Sequence, residues 1–206
     1  MKFEPVILAS QSPRRIRLLK QLGLDVIVQA SCFVEHELEQ ADPTAFARQA
    51  ALGKARDVAA RSRQGLVAGM DTVVALDGQM LHKPRDPADA VRILRALSAR
   101  EHLVTTGLAL VRAPTGEALW AAHETTRVRF RRLNADEIER YVASGEPLDK
   151  AGAYGIQGLG AELVAGIEGD YFNVMGLPLA KFLKGLGRFV DVSALELPAA
   201  PAAFAD

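Results

Sequence analysis

The sequence predicts an α/β fold, in which a mixed, twisted sheet is flanked by helices, and three observations support this prediction. Strand-like apolar runs alternate with amphipathic helical patterns as far as about residue 186. Asp77-Gly78, between two β-prone runs, is a strong hairpin signal and adds antiparallel strands to the alternating pattern. The chain has 206 residues, enough for one large domain or two small lobes with a sizeable core.

The junction between the first predicted strand and the first predicted helix is a candidate anion site. The apolar run at residues 5–9 predicts a strand, and a helical pattern follows at once. Ser12 can cap that helix, and Pro13 suits its first turn. Arg14 and Arg15 would be unfavourable beside the positive helix end unless an anion binds there. We therefore predict a phosphate-binding corner, with two solvated arginines on an ordinary surface helix as the alternative.

Later elements are predicted from capping residues and apolar periodicity. Asp42-Pro43 and Asp86-Pro87 each open a helix, and Asn134 opens another through a capping box. Further strands are expected at residues 25–30, 66–76, 103–111, 118–130 and 162–167, and a closing helix at 176–186, with residues 144–160 as a loop. We expect the 66–76 strand to be broken at residues 69–72. Residues 1–194 are predicted to form a single domain and residues 195–206 a disordered Ala- and Pro-rich tail.

The composition and the lengths of the apolar runs argue against several classes of protein. Lys and Arg total 25 and balance 25 Asp and Glu, which disfavours a dedicated nucleic-acid binder. Arg127, Arg129 and Arg131 alternate with apolar residues and are predicted to form a solvated strand face. Cys32 is the one cysteine of the sequence, so an intrachain disulfide is impossible. Neither a signal peptide nor a membrane-length apolar run is visible, and we expect a cytoplasmic protein.

Asp71 is the most informative polar residue, because it interrupts an otherwise apolar run. A catalytic or metal-binding carboxylate is favoured over an aspartate that only supports a turn. Glu35 taken alone is a solvated loop acid, and Lys54 and Lys83 taken alone are surface residues. Together these side chains suit a polyphosphate held with a divalent cation, Mg²⁺ or Mn²⁺, since cationic groups bind phosphate oxygens and carboxylates bind metal and activate water. The set consists of Arg14, Arg15, Glu35, Lys54, Asp71 and Lys83.

Five stretches in the same order resemble the motifs of the Maf family of nucleoside triphosphate pyrophosphatases. Residues 8–15 read LASQSPRR, residues 71–74 read DTVV, and residues 83–86 read KPRD. Residues 145–158 read GEPLDKAGAYGIQG, the longest and most specific match, and residues 171–178 read YFNVMGLP. The resemblance spans about residues 5 to 186.

The resemblance implies two lobes around a cleft, similar to inosine triphosphate pyrophosphatases, and metal-dependent hydrolysis of a nucleoside triphosphate to the monophosphate and pyrophosphate. It makes Asp71 the proton acceptor and, with Glu35, a metal ligand. Glu35 falls near the loop acid of the family, but Val34 replaces the expected aspartate beside it, and Glu37 is a rival. Phosphate-contacting positions are Ser10, Arg14, Arg15, Lys54 and Lys83.

Three positions divide the family by substrate. Arg14, Thr72 and Gln157 match the branch that acts on dTTP and UTP, whereas the 7-methyl-GTP branch has Trp, Gln and Glu there. A 7-methyl-GTP pyrophosphatase and a non-enzymatic regulator of septum formation are the alternatives. The expected partner is a nucleoside triphosphate, a homodimer is a candidate assembly, and neither nucleic acid nor a membrane is expected.

Overall fold

A computed structural model describes residues 5–35, 38 and 40–195. These residues form a seven-stranded mixed sheet flanked by helices, which confirms the predicted α/β class. The strands are β1 (Val6–Leu8), β2 (Ile27–Val28), β3 (Gly65–Leu76), β4 (Gln79–Leu81), β5 (Glu101–Ala113), β6 (Glu117–Phe130) and β7 (Val164–Glu168). The helices are α1 (Pro13–Gln21), α2 (Pro43–Ala60), α3 (Pro87–Leu97), α4 (Ala135–Ala143), α5 (Tyr171–Val174) and α6 (Leu179–Leu186).

The sheet changes from parallel to antiparallel pairing at β3. Its order is β2-β1-β3-β5-β6-β7, with β1 parallel to both β2 and β3. The β3–β5, β5–β6 and β6–β7 pairs are antiparallel, and β4 returns against the end of β3 through the predicted Asp77-Gly78 turn.

The long strands contribute to two separate hydrophobic cores, one at each end. Val74 and Leu76 of β3 pack with α3 and α4, in a core that includes Leu94 and Ile138. Leu66, Ala68 and Met70 of β3 pack instead with apolar residues of α1 and α6, and α2 covers the opposite face of the sheet. Asp71 lies on β3 between these two cores. The arrangement agrees with the expected two lobes.

One edge of β3 is interrupted. Val6–Leu8 pair with Leu66, Val67 and Ala68, and the Ala9 amide donates to the Ala68 carbonyl at 2.9 Å. The β4 strand occupies the same edge only from Val74 to Leu76. Among the described residues, no strand pairs with positions 69–73 on this side. We call this interval the β1–β4 gap.

Local capping chemistry explains where the helices begin. The Asp42 carboxylate accepts from the Ala45 amide and the Asp86 carboxylate from the Asp89 amide, each at 2.7 Å. Asn134 and Glu137 form the predicted capping box. The predicted cap at Ser12 is wrong in one respect. Ser12 occupies the N-cap position of α1, but its side chain makes no capping hydrogen bond.

Several predicted boundaries differ from the structure. The expected break at residues 69–72 is wrong, because β3 is continuous and pairs with β5 from Gly65 to Ala75. Residues 144–160, predicted as a loop, contain 3₁₀ turns at Glu146–Asp149 and Ala151–Ala153, and a third follows at Leu159–Leu163. The closing helix begins at Leu179 after a short additional helix, α5, that the sequence pattern did not indicate.

Arginines in β6 and directly after it form ion pairs. Arg127 pairs with Glu101 and Glu168, and Arg131 pairs with Glu137 and Glu162. None of the helices in the described ranges combines the length and apolarity that crossing a bilayer requires. Leu195 packs against the core beside α6, and the remainder of the predicted tail, residues 196–206, lies outside the described residues.

Candidate active site

A cavity of about 720 Å³ opens at the β1–β4 gap. Its walls come from the segment after β1, from α2, from the middle of β3 and from the glycine-rich segment 149–157. Every residue that the sequence singled out for substrate, metal or catalysis lines this one cavity: Ser10, Arg14, Arg15, Glu35, Lys54, Asp71, Thr72, Lys83 and Gln157. Glu37, the rival loop acid, lies outside the described residues.

Lys54 joins two carboxylates inside the cavity. Its Nζ lies 2.6 Å from Asp71 Oδ1 and also forms an ion pair with Glu35 Oε1. The Asp71 side chain is 8% exposed, whereas that of Glu35 is 44% exposed. A buried carboxylate needs such a partner, because an uncompensated charge away from water is costly. The cation therefore holds one buried and one accessible carboxylate in a fixed relation.

Two glycines allow α2 to approach the sheet closely enough for this contact. A Cβ on Gly69 would lie 2.8 Å from Ala55 Cβ and still nearer the carbonyl oxygen of Ala51. A Cβ on Gly107, in β5, would collide with the carbonyl of Ala47 in the same way. Gly107 is the cross-strand partner of Asp71. The glycines thus remove side chains where α2 crosses the sheet, and Lys54 on that helix reaches Asp71.

The carboxylates suit a magnesium-like ion that binds together with phosphate. Within the described ranges, no group of three Cys, His, Asp or Glu side chains is placed to hold a metal by itself. Mg²⁺ commonly binds through one or two carboxylates, with substrate phosphates completing its coordination. Asp71 and Glu35, drawn together by Lys54, match that donor set.

Arg15 is buried and bonded to the protein. Its Nε donates to the Gly176 carbonyl at 2.8 Å, and its Nη1 donates to Ser10 Oγ at 3.1 Å and to the Met70 carbonyl at 3.2 Å. Its Nη2 donates to Thr72 Oγ1 at 3.0 Å. Burial lowers the pKa of the guanidinium, and the charge of Asp71 opposes this shift.

This network ties α1 across the β1–β4 gap to β3 and to the segment before α6. The predicted phosphate contact of Arg15 stays a prediction. The geometry adds a second role for this residue, which is to hold the cavity wall.

Ser10 presents a hydroxyl with its acceptor positions already occupied. Its Oγ accepts from Arg15 Nη1 and from the Ser12 amide, the latter at 3.2 Å. A hydroxyl has two acceptor lone pairs and one donor proton, so the proton is what remains for a ligand. Ser10 is thereby suited to donate to a phosphate oxygen.

The glycine-rich segment is fixed by one carboxylate. Glu146 Oε2 accepts from the Leu159 amide at 2.9 Å, and Oε1 accepts from the Gly160 amide at 3.1 Å and the Tyr141 hydroxyl at 2.9 Å. Burial opposes ionisation of Glu146, but these donors and the charge of Lys150 outweigh it and lower the pKa of its carboxyl. The Tyr141 hydroxyl also accepts from the Gly155 amide at 3.1 Å, so the segment that carries Gln157 is anchored on both sides of that residue.

A buried aromatic cluster supports the same wall. His102 is 2% exposed and its Nε2 lies 2.8 Å from the hydroxyl of Tyr154, a cavity residue. Phe130 packs edge-on against both rings. Burial lowers the pKa of His102 to about 4, so the imidazole is neutral at pH 7.

Comparisons with known proteins identify the family of the chain. A model of the family described as Maf-like protein matches residues 5–189, most of the chain. The chain belongs to the Maf family. A relative from Moorella thermoacetica, named dTTP/UTP pyrophosphatase, is 54% identical over 91% of this chain and 96% of its own length. A relative of the same name from Dictyoglomus turgidum is 47% identical over 89% of this chain and 95% of its own.

Two solved structures are similar at lower identity. One is a nucleoside-triphosphatase, dITP/XTP pyrophosphatase, from Mycobacterium abscessus, with TM-score 0.42 and 21% identity, covering 66% of this chain and 77% of that one. The other is a HAM1 protein from Coxiella burnetii, with TM-score 0.40 and 16% identity over 62% and 73% of the two chains.

The cavity of this Maf protein also contains residues that the sequence pattern did not indicate as site residues. Lys150 is 9% exposed, lines the cavity, and donates to Asp149 Oδ1 and to the Glu146 carbonyl, both at 2.6 Å. Asp149 in turn lies 3.9 Å from Arg14 Nη1. A lysine in a glycine-rich stretch resembles any surface lysine, so only the folded backbone shows that Lys150 lies in the wall.

Proposed function

We propose that this Maf protein hydrolyses dTTP and UTP to the monophosphate and pyrophosphate, with the help of a divalent cation. The observation that carries the proposal is the Lys54 bridge between Asp71 and Glu35 in a cavity with cationic walls. The relatives from Moorella thermoacetica and Dictyoglomus turgidum, both named dTTP/UTP pyrophosphatase, support the choice of substrate.

Asp71 is the proposed general base. Its carboxylate accepts a proton from a water molecule while the water oxygen attacks the α-phosphorus. The bond from the α-phosphorus to the bridging oxygen breaks, and pyrophosphate leaves with the bonding electrons. Lys54 orients Asp71 for this transfer, and its ion pairs keep the carboxylate in place.

The remaining side chains bind the triphosphate and the base. Ser10 donates to a phosphate oxygen, and Lys83 and Arg14 supply positive charge at the cavity rim. Thr72 and Gln157 are proposed to contact the pyrimidine. Asp71 and Glu35 would hold Mg²⁺ or Mn²⁺, which when bound neutralises charge developing on the phosphate oxygens.

Release of pyrophosphate from a panel of nucleoside triphosphates tests the proposal. The panel contains dTTP, UTP, CTP, dATP, GTP and 7-methyl-GTP, each with Mg²⁺, Mn²⁺ or a chelator. We expect metal-dependent release, fastest with dTTP and UTP, and a loss of at least about 100-fold in the Asp71→Asn variant. Asp136→Asn, which changes an exposed acid on α4, is the matched control. Release that is equal in wild type and Asp71→Asn would overturn the mechanism, and preference for 7-methyl-GTP would overturn the substrate.

A further inference from the structure

The hydroxyl of Thr72 belongs to a chain of hydrogen bonds that ends deep in the protein. Thr72 Oγ1 accepts from Arg15 Nη2 at 3.0 Å and lies 2.9 Å from Thr106 Oγ1. Thr106 Oγ1 lies 3.2 Å from the carbonyl oxygen of Asn173. Thr106 and Asn173 are both fully buried, whereas Thr72 is partly exposed and lines the cavity.

The direction of this chain follows from its two ends. An arginine N–H can only donate, and a carbonyl oxygen can only accept. The proton of Thr106 therefore goes to Asn173, and the proton of Thr72 goes to Thr106. In the reverse arrangement, the Thr106 and Asn173 oxygens would face each other at 3.2 Å as two buried acceptors with no proton between them.

The Thr72 hydroxyl therefore differs from the Ser10 hydroxyl in what it offers a ligand. Thr72 has donated its proton to Thr106 and accepted one bond from Arg15, so a single acceptor lone pair remains. Ser10 has accepted two bonds and keeps its proton. One wall of the cavity thus offers a donor, which suits a phosphate, and an acceptor, which suits an N–H group.

We propose that Thr106 is a positioning residue for base selection: it fixes Thr72 as an acceptor for the ring N3–H of uracil or thymine. Cytosine has no hydrogen on N3 and meets the same lone pair with one of its own. This inference rests on the proposed function, because it takes a pyrimidine triphosphate as the occupant of the cavity. Thr106 does not line the cavity and acts only through Thr72.

Calorimetric titration tests the proposal without requiring hydrolysis. The ligands are the α,β-imido analogues of UTP, CTP and N3-methyl-UTP, each with Mg²⁺. We expect wild type to bind the UTP analogue at least about tenfold more tightly than either of the others, the effect of about one hydrogen bond. In Thr106→Val, Thr72 can turn its proton toward the ligand, and the preference for UTP over CTP should fall about tenfold.

Two further variants distinguish an effect of the direction of the Thr72–Thr106 hydrogen bond from an effect on packing. Thr106→Ser keeps the hydroxyl and should retain the preference of the wild type. Thr105→Val removes the neighbouring half-buried Thr105–Thr125 hydroxyl pair, 2.9 Å apart, which does not touch Thr72, and should also leave the preference unchanged.

The inference would be overturned if the Thr106→Val variant kept the wild-type ratio of affinities for the UTP and CTP analogues. It would also be overturned if the wild type bound the UTP and N3-methyl-UTP analogues equally tightly. If the wild type shows the expected binding preference but releases no pyrophosphate, only the proposed reaction would be overturned. Wild-type protein that binds none of the three analogues would overturn both.

Discussion

Gly69 of β3 packs directly beneath the carbonyl oxygen of Ala51 in α2, with no room for a side chain between them. This contact sets the distance between helix and sheet at the level of Asp71. The Lys54–Asp71 ion pair lies beside it, on the same helix and the same strand. Substitutions that separate the helix from the sheet should therefore act on stability and on activity together.

Gly69→Ala is expected to lower the free energy of unfolding by about 1–3 kcal/mol, because the added Cβ meets helix backbone that cannot move aside. Pyrophosphate release should fall as Lys54 is displaced from Asp71. Urea unfolding and the nucleotide assay measure the two effects. Gly166→Ala in β7 is the control, since its Cβ would meet only Arg129 at 3.6 Å. Equal stability of the two variants would contradict the packing argument.

Lys54→Met is expected to reduce kcat/KM for UTP by at least about 100-fold, because Asp71 and Glu35 lose the cation that orients them. The side chain keeps a similar length, so the helix surface is little changed. Steady-state pyrophosphate release measures the loss. Lys20→Met, on the exposed face of α1, should retain wild-type rates. Activity of Lys54→Met within threefold of wild type would exclude a central role for this lysine.

Glu146→Gln should loosen the glycine-rich segment and raise KM for UTP more than it lowers kcat. The carboxylate accepts from the Leu159 amide with one oxygen and from the Gly160 amide with the other, and glutamine replaces one of these oxygens with an NH2 donor that would face a backbone N–H. Loss of a charge-assisted acceptor is expected to cost about 1–3 kcal/mol of stability. Glu139→Gln, on the exposed side of α4, serves for comparison. If KM stays unchanged while stability falls, the segment does not position the base.

His102 should make stability depend on pH between about 6.5 and 4. Burial holds its folded pKa at about 4, below the value near 6.5 expected in the unfolded chain. In this window the unfolded state binds more protons, so stability present at pH 7 is lost as the pH falls. We expect about 2–3 kcal/mol of loss between pH 7 and pH 4.5 from this residue.

The His102→Gln variant isolates that contribution, because the depressed carboxyl pKa values of Glu137 and Glu146 affect both proteins alike. Urea unfolding at pH 7 and pH 4.5 gives the difference. The wild type should lose more stability than the variant over this interval. Equal losses of stability in the wild type and the variant would mean that folding does not lower the pKa of His102.

Local chemistry made much of the fold predictable. Asp42, Asp86 and Asn134 cap their helices through contacts within three residues, and the Asp77-Gly78 turn is equally local. Asp71 could be singled out because a carboxylate in an apolar run demands a partner. Its partner, Lys54, was predicted only as a phosphate contact, and the ion pair with Asp71 is evident only from the fold.

Contacts between segments that are distant in the chain could not be predicted from local sequence patterns. Gly69 and Asp71 resemble a break in a strand, yet pairing with β5 from Gly65 to Ala75 keeps the strand intact. The role of Gly107 depends on its register opposite Asp71, which no local pattern reveals. Thr106 reads as an ordinary β-strand threonine, and its link to Asn173 spans 67 positions of the chain.

The β1–β4 gap implies that the breadth of the cavity is encoded in strand length. At about 3.4 Å per residue, the interval from Ala68 to Val74 spans roughly 20 Å of strand edge that no neighbouring strand among the described residues pairs with. Lengthening β1 at its end, or starting the β4 pairing earlier, would cover that edge with backbone and shut the cleft without altering any side chain in it. Relatives with wider or narrower clefts could therefore arise by insertion or deletion at two turns, while the side chains that line the cavity stay as they are.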